Sequence, residues 1–307
     1  MTTIGVVIDQ KCNIRCAHCC FASSPQSELH LSDDEVLRIV DGAARNINVD
    51  TIAISGGEAL LRFPLILKCA QIAKSNNKKC TVMTNGFWGI TSISADAKVR
   101  ALQKAGISSL GFSVDDFHEA HIPISRIQNC LNACRENRMQ CSIDMVVTKN
   151  HTGASLLEAL GEAVLGVPIF RYPLQRVGRA VSIPSTDLFR PEDSSANLHC
   201  PGFQVTYHFD GKVYPCCSPS AFQETYSLGS TKEIDVNKAL HTVQYNRLFS
   251  LMRKEGFGWL MDHARLDGVP GLPDPPYINV CEVCNQLFSN AEFLKWLTTS
   301  ETIKNEK

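Results

Sequence analysis

An α/β architecture, a partial (β/α)6 TIM-like barrel followed by a smaller C-terminal region, is what this sequence predicts, and three observations predict it. Short apolar runs alternate with helical patterns about six times up to about residue 180. That alternation implies parallel strands joined by crossover helices. Six units are too few to close an eight-stranded barrel. After about residue 180 the alternation stops, and Ser, Pro and Asp become frequent in 183–187 and 191–195. The chain is therefore divided there, with residues 1–180 as the barrel and 181–307 as a second domain.

Strands are expected at residues 4–9, 51–55, 80–84, 109–113, 142–148 and 169–172, with helices near 32–46, 63–75, 93–105, 125–137 and 153–163. The first helix has a clear start: the Ser32 hydroxyl can cap free N–H groups, and Asp33, Asp34 and Glu35 complement the helix dipole. In the second region, 205–207 and 212–214 flank Phe209-Asp-Gly211, which predicts a hairpin turned by Asp-Gly. A helix is expected around 243–254. The stretch 268–276 holds too many prolines for regular structure. There is no internal repeat and no low-complexity tract. In such a barrel the chemistry sits at the carboxyl ends of the strands.

A composition 44% apolar over 307 residues supplies a full core. Thirty basic against 31 acidic side chains leave a formal charge of -1, so no global footprint for nucleic acid or an anionic membrane exists. No apolar run approaches the roughly 18 to 20 residues that span a bilayer, and the first residues lack a basic segment followed by a longer apolar one. The expectation is a soluble, cytoplasmic protein with neither a nucleic-acid nor a membrane partner.

Fourteen cysteines are many for such a chain. Without an export signal a disulfide framework is not expected, so clustered cysteines point to metal or catalysis. Nine fall into three groups: Cys12, Cys16, Cys19 and Cys20; Cys200, Cys216 and Cys217; Cys281 and Cys284. The remaining five, Cys69, Cys80, Cys130, Cys134 and Cys141, stand singly in apolar patterns and read as small buried hydrophobes.

The segment Cys12-Asn-Ile-Arg-Cys16-Ala-His-Cys19 follows the first strand directly. Three thiolates on a 4Fe-4S cluster leave one iron open, where the amino and carboxylate groups of a ligand can chelate. A structural zinc site, completed by Cys20 or His18, is the alternative. Placement on the loop after the first strand of a βα series favours the cluster.

This spacing and placement resemble the signature of radical S-adenosylmethionine (SAM) enzymes. Ile54-Ser-Gly-Gly-Glu58, ending the second strand, is similar to the segment by which that family binds the methionyl amino group, which implies cofactor contacts at Gly56, Gly57 and Glu58. Glycines let a backbone approach a ligand, and a carboxylate suits an ammonium. By position the resemblance also implies contacts to methionine carboxylate or ribose at Asn85, Ser113 and Asp115, although Asp115 or Asp116 equally suits a turn or helix cap. His18 stands where the family commonly has an aromatic residue, its backbone near the adenine.

In the second region Cys200, Cys216, Cys281 and Cys284 make four ligands, enough for a second 4Fe-4S cluster or a zinc ion. Neighbours in an extended segment project oppositely, so one of Cys216 and Cys217 is left free beside that site. The free residue is either a small packed thiol or a hydrogen donor. An S–H bond is weaker than a peptide Cα–H bond, so a thiol can quench a Cα radical; abstraction from one face and return on the other inverts the residue.

Residues 16–25, 84–89, 200–219, 251–257 and 281–292 resemble the radical SAM peptide epimerases of epipeptide biosynthesis. The resemblance implies a C-terminal SPASM/twitch-like domain, SAM and two 4Fe-4S clusters as cofactors, and Cys217 as hydrogen donor with Cys216 as ligand, an assignment that spacing leaves reversible. It implies conversion of L- to D-residues in a ribosomally made precursor peptide, with an external electron donor such as flavodoxin or ferredoxin. The alternatives are a radical maturase forming thioether or carbon–carbon links in a peptide, and a non-catalytic zinc or iron–sulfur binding module. Five cysteines in the second region fit one auxiliary cluster plus a donor.

Overall fold

The computed structural model describes residues 2–190 and 198–300. Strands β1 (Thr3–Val7), β2 (Thr51–Ser55), β3 (Lys79–Thr84), β4 (Ser109–Ser113), β5 (Gln140–Val147) and β6 (Ile169–Pro173) lie side by side in chain order, each pair parallel. The crossovers carry α1 (Asp33–Arg45), α2 (Phe63–Ser75), α3 (Ser92–Ala105), a single turn α4 (Asp116–Glu119), α5 (Ile124–Glu136) and α6 (Ala154–Leu160). As expected, Ser32 caps α1, its hydroxyl accepting from the Glu35 N–H at 3.2 Å. The helix expected over 153–163 gives way after Leu160 to a 3-10 turn, Gly161–Val164.

Side chains alternate across the sheet. Val82, Leu110, Phe112, Ile143 and Met145 are buried in the main core shared with the helices. The opposite face carries Met83, Gly111, Asp144 and Tyr172: a Cβ on Gly111 would meet Met83 and Asp144, and the Tyr172 hydroxyl donates to Asp144 Oδ1 at 3.2 Å. This inner face is the concavity of an open barrel. β6 ends the sheet among the described residues, and β1 turns its other edge to a seventh strand.

That strand belongs to the second region. β7 (Thr206–His208) runs parallel to β1, and β8 (Lys212–Tyr214) and β9 (Gly229–Ser230) follow antiparallel. The Asp-Gly turn forms as expected, with Asp210 Oδ1 accepting from the Lys212 N–H at 3.0 Å. One nine-stranded sheet thus crosses the boundary drawn at residue 180, and Tyr207 and Val213 share the core of Ile4 and Val6. The second region also carries five helices among the described residues: α7 (Val236–Tyr245), α8 (Arg247–Lys254), α9 (Gly256–Leu266), α10 (Val280–Phe288) and α11 (Ala291–Thr299).

The helix expected over 243–254 is two helices. Asn246 separates them: its N–H closes α7 on the Thr242 carbonyl at 2.8 Å, and its side chain caps α8 by accepting from the Phe249 N–H at 3.3 Å. The proline-rich 268–276 is irregular, as expected. The Ser- and Pro-rich stretch 191–195 lies outside the described residues. No helix is long and apolar enough to cross a membrane among the described residues. Cys69, Cys80, Cys130 and Cys134 are fully buried and Cys141 half-buried.

Candidate active site and metal centres

The loop after β1 carries the first cysteines. It is pinned at its base, where Arg62 donates to the carbonyls of Ile8 and Leu31 at 3.3 and 2.9 Å. The Cys12 N–H donates to Ser24 O at 3.1 Å, and the chain turns so that the Cys19 N–H reaches Cys16 O at 3.3 Å. Cys12 and Cys16 are buried and Cys19 half-buried. Burial pushes the Cys12 thiol up to about 12, and nearby Glu58, Cys16 and Cys19 add to the rise. Three cysteines on one short loop, two of them buried, supply the thiolate donors that a cationic iron–sulfur core takes, so this donor set fits such a cluster.

Gly56 and Gly57 stand where the loop after β2 crosses the cysteine loop. A Cβ on Gly57 would lie 2.2 Å from Lys11 O, and one on Gly56 would lie 2.9 Å from Asp9 O. The Gly57 N–H donates to Asp9 O at 2.6 Å and the Glu58 N–H to Lys11 O at 2.9 Å. Both glycines thus let the loop after β2 pack directly on the backbone that presents Cys12.

Glu58 is 2% exposed. Its Oε1 accepts from Leu60 N–H at 3.0 Å and from the Thr84 hydroxyl at 2.9 Å, and its Oε2 accepts from Asn85 N–H at 2.7 Å. Asn85 in turn donates to Asn13 Oδ1 at 2.9 Å, with its amide 3.8 Å from Cys12 Sγ. Glu58 and Asn85 thus tie the ends of β2 and β3 to the cysteine loop.

Burial pushes the Glu58 carboxyl up to about 7 against hydrogen bonds that favour its charge. The folded chain therefore keeps a proton that the unfolded chain releases from about pH 4.5 upward, and the stability this contributes is full below pH 4.5 and lost by about pH 7. Glu58→Gln does not titrate. In thermal unfolding of SAM-free protein its stability relative to wild type is expected to rise between about pH 4.5 and pH 7, by up to about 3 kcal/mol.

At the other end of the loop the expected cap reading of Asp115 is what the structure shows. Buried Asp115 caps α4, its Oδ1 accepting from Phe117 and His118 N–H at 3.1 and 3.0 Å, and from His118 Nδ1 at 2.8 Å. Its Oδ2 lies 3.4 Å from His18 Nε2. Burial opposes charge on Asp115, but His118 and His18 outweigh it and hold the carboxyl well below the usual range. His18 stacks on Phe117 at 4.6 Å, and its buried Nδ1 has no hydrogen-bond partner among the described residues. Half-buried Ser113 lines a small pocket with His118 and Ile122.

His118 was not foreseen. It forms, with Cys16 and His18, a trio of potential ligand atoms within 4.8 Å of one another. No spacing rule marks a lone histidine one helical turn past Asp115.

In the second region Cys200, Cys216, Cys281 and Cys284 line one pocket, walled by Tyr226 and Phe257. Cys281 and Cys284 lie three apart near the start of α10, hence on one face, and Asn279 caps the helix's first turn. Arg190 grips Glu282 of the same turn through two bonds of 3.0 Å. Burial pushes Cys200 up to about 11 and raises Cys281 and Cys284. The four-thiol set again fits a cationic cluster.

The Cys216–Cys217 segment is not the extended strand expected: the chain bends after Tyr214. Cys216 faces the four-cysteine pocket, whereas Cys217 is exposed and outside that lining. The two thiols remain close enough to share a hydrogen bond, which raises Cys216. Cys217 also lies near enough to Tyr172, on the inner face of the barrel, for its charge to act on the phenol.

Comparison with known proteins agrees with this layout. Residues 6–163 match the profile of the radical SAM superfamily, and residues 199–285 match the SPASM iron–sulfur cluster-binding domain. A Bacillus subtilis (strain 168) protein named for peptide biosynthesis, YydG, is 31% identical over 300 residues, 96% of this chain and 94% of that one. The GTP 3',8-cyclase of Paenarthrobacter nicotinovorans is 27% identical over 121 residues, 38% of this chain and 33% of its own. Among solved structures, anSMEcpe with bound AdoMet and the Cp18Cys peptide superimposes with a TM-score of 0.57 at 14% identity, over 100% of this chain and 99% of that one, a likeness of fold.

Proposed function

The chain belongs to the radical SAM superfamily, with SAM and a 4Fe-4S cluster at the barrel and an iron–sulfur cluster in the SPASM region, and on that premise we propose that it is a peptide epimerase. Its substrate is a ribosomally made precursor peptide bound in the open barrel. Cys12, Cys16 and Cys19 hold the radical cluster, and Gly56, Gly57, Glu58, Asn85, His18, Ser113 and Asp115 surround SAM. Cys200, Cys216, Cys281 and Cys284 hold the auxiliary cluster. When bound, the radical cluster and SAM supply a carbon-centred radical that removes hydrogen from a peptide Cα.

The observation that carries this reading is Cys217, a fifth thiol exposed beside a four-thiol pocket and within electrostatic reach of Tyr172. Tyr172 belongs to the inner face, where its hydroxyl donates to Asp144. Cys217 gives its hydrogen atom to the Cα radical from the face opposite abstraction, and the residue is inverted. The sulfur radical left on Cys217 then takes one electron from an external donor such as flavodoxin or ferredoxin, and one proton from solvent, which restores the thiol. The full-length similarity to a protein named for peptide biosynthesis supports the substrate class.

The test is isotopic. Enzyme, SAM, reductant and a candidate precursor peptide, incubated in deuterated water, are expected to yield peptide carrying deuterium at each inverted Cα, because the S–H of an exposed thiol exchanges with solvent. Peptide that loses hydrogen and gains no deuterium would mean cross-linking instead.

A further inference from the structure

Between β6 and β7 runs a segment, residues 174–183, to which the chemistry above gives no task. It is anchored: the Leu174 N–H donates to Val147 O at 3.0 Å, and Leu174, Ala180 and Ile183 are buried in a small cluster with Cys16 and Phe117. Two of its polar side chains reach in different directions, one to each cysteine site.

Gln175 turns to the SPASM side, where its Oε1 accepts from the Ser220 hydroxyl at 2.6 Å and from the Ser218 hydroxyl at 3.4 Å. The Ser218 N–H donates to Cys216 Sγ at 3.3 Å. Arg179 turns to the barrel side. Its Nη1 donates to Cys16 O at 2.6 Å, its Nη2 to Ala22 O at 2.9 Å and Ser23 O at 2.7 Å, and its backbone N–H to Cys19 O at 3.0 Å. Gly178 brings the two segments together in a left-handed conformation, φ 59°, where a Cβ would lie 2.2 Å from Cys20 O.

These contacts go beyond ordinary packing. The carbonyls of a tight cysteine loop point outward and need donors, and a guanidinium fork satisfies three at once with fixed geometry. Groups behind metal ligands fix the orientation of those ligands and thereby tune the metal. We propose that residues 174–183 form a strap that positions both metal-site loops, with Arg179 the positioning residue for the Cys16–Cys19 turn and Gln175 for the Cys216–Ser218 turn. The strap holds the source of the radical and the thiol-bearing turn in one fixed relation. The Arg179 arm rests on Cys12, Cys16 and Cys19 as radical-cluster ligands and needs no assumption about the peptide.

Full-length Arg179→Gln and Arg179→Lys, reconstituted anaerobically with iron and sulfide, test it without any peptide. The readouts are iron content, the electron paramagnetic resonance spectrum of the reduced protein with and without SAM, and the rate of SAM cleavage in the absence of peptide. Arg179→Gln is expected to keep the auxiliary irons, to lose the SAM-induced change in the radical cluster's spectrum, and to cleave SAM about tenfold more slowly or worse. Arg179→Lys keeps the charge but lacks the fork, and is expected to fall between Arg179→Gln and wild type.

A wild-type spectral response and cleavage rate in Arg179→Gln would overturn the proposal, even with a lowered Tm, since that would leave Arg179 a merely structural role. If Arg179→Gln does not fold, Arg179→Lys decides, and wild-type values in both readouts would overturn it equally. Failure of the ligand assignment is distinguishable, because it shows in the cysteine variants and not in these.

Discussion

Chain in which Cys12, Cys16 and Cys19 are all replaced by alanine is expected to bind about four irons where wild type binds about eight, and to lose SAM cleavage altogether. The effect should be near-complete for a geometric reason. The three thiols sit on one short loop whose shape is fixed from outside by Arg62, Ser24 and Arg179, so the loop itself should survive their removal. What disappears is the donor set alone. The second cysteine pocket, drawn from Cys200, Cys216 and α10, shares none of these residues and should still load its cluster. Iron and sulfide analysis with visible spectra of the reconstituted variant checks this: brown protein with half the iron and no cleavage of SAM is the expected result. Retained cleavage would remove the ligand assignment. Colourless wild-type protein loaded with zinc would remove the cluster altogether.

The barrel was legible in the sequence because its signals are local. Apolar runs such as 51–55 and the Ser32 cap with its following acids speak for themselves within a few residues, and β2 and α1 stand where those signals end. The cysteine loop was legible for the same reason, its three thiols lying within eight consecutive residues. Where pairing is distant, the sequence is silent. Nothing near residues 206–208 announces that β7 will lie parallel to β1, which merges two regions that the change in composition separates.

The helices α10 and α11 were missed although Asn279 and Asn290 are good caps, because Cys281-Glu-Val-Cys284 draws attention as ligand spacing and hides its compatibility with one helical turn. That Gly57 also packs against the Lys11 carbonyl has no signal in the sequence, because that contact joins two loops more than forty residues apart. Arg179 had no signal at all. The three carbonyls its guanidinium holds lie 156 to 163 residues earlier in the chain.

Cys217→Ala is expected to separate the two halves of the reaction: SAM cleavage in the presence of peptide continues, while formation of D-residues falls below detection. The separation follows from position. Cys217 lies outside the four-cysteine pocket, so its loss should leave both clusters and about eight irons in place. Abstraction then still occurs, but the Cα radical finds no hydrogen on the opposite face, and the peptide returns either unchanged or broken. Cys216→Ala is the counterpart. It removes a pocket-lining thiol, and the protein is expected to lose auxiliary-cluster iron as well as D-residues.

Comparison of the two variants resolves an ambiguity that spacing leaves open, because the thiols are neighbours close enough to share a hydrogen bond. Chiral amino-acid analysis of hydrolysed peptide, alongside iron content, reads both. If Cys217→Ala loses the auxiliary iron and Cys216→Ala keeps it, the roles are exchanged. If Cys217→Ala makes D-residues at the wild-type yield, the hydrogen comes from elsewhere, and Tyr172, an inner-face phenol on which the Cys217 charge acts, becomes the next residue to replace.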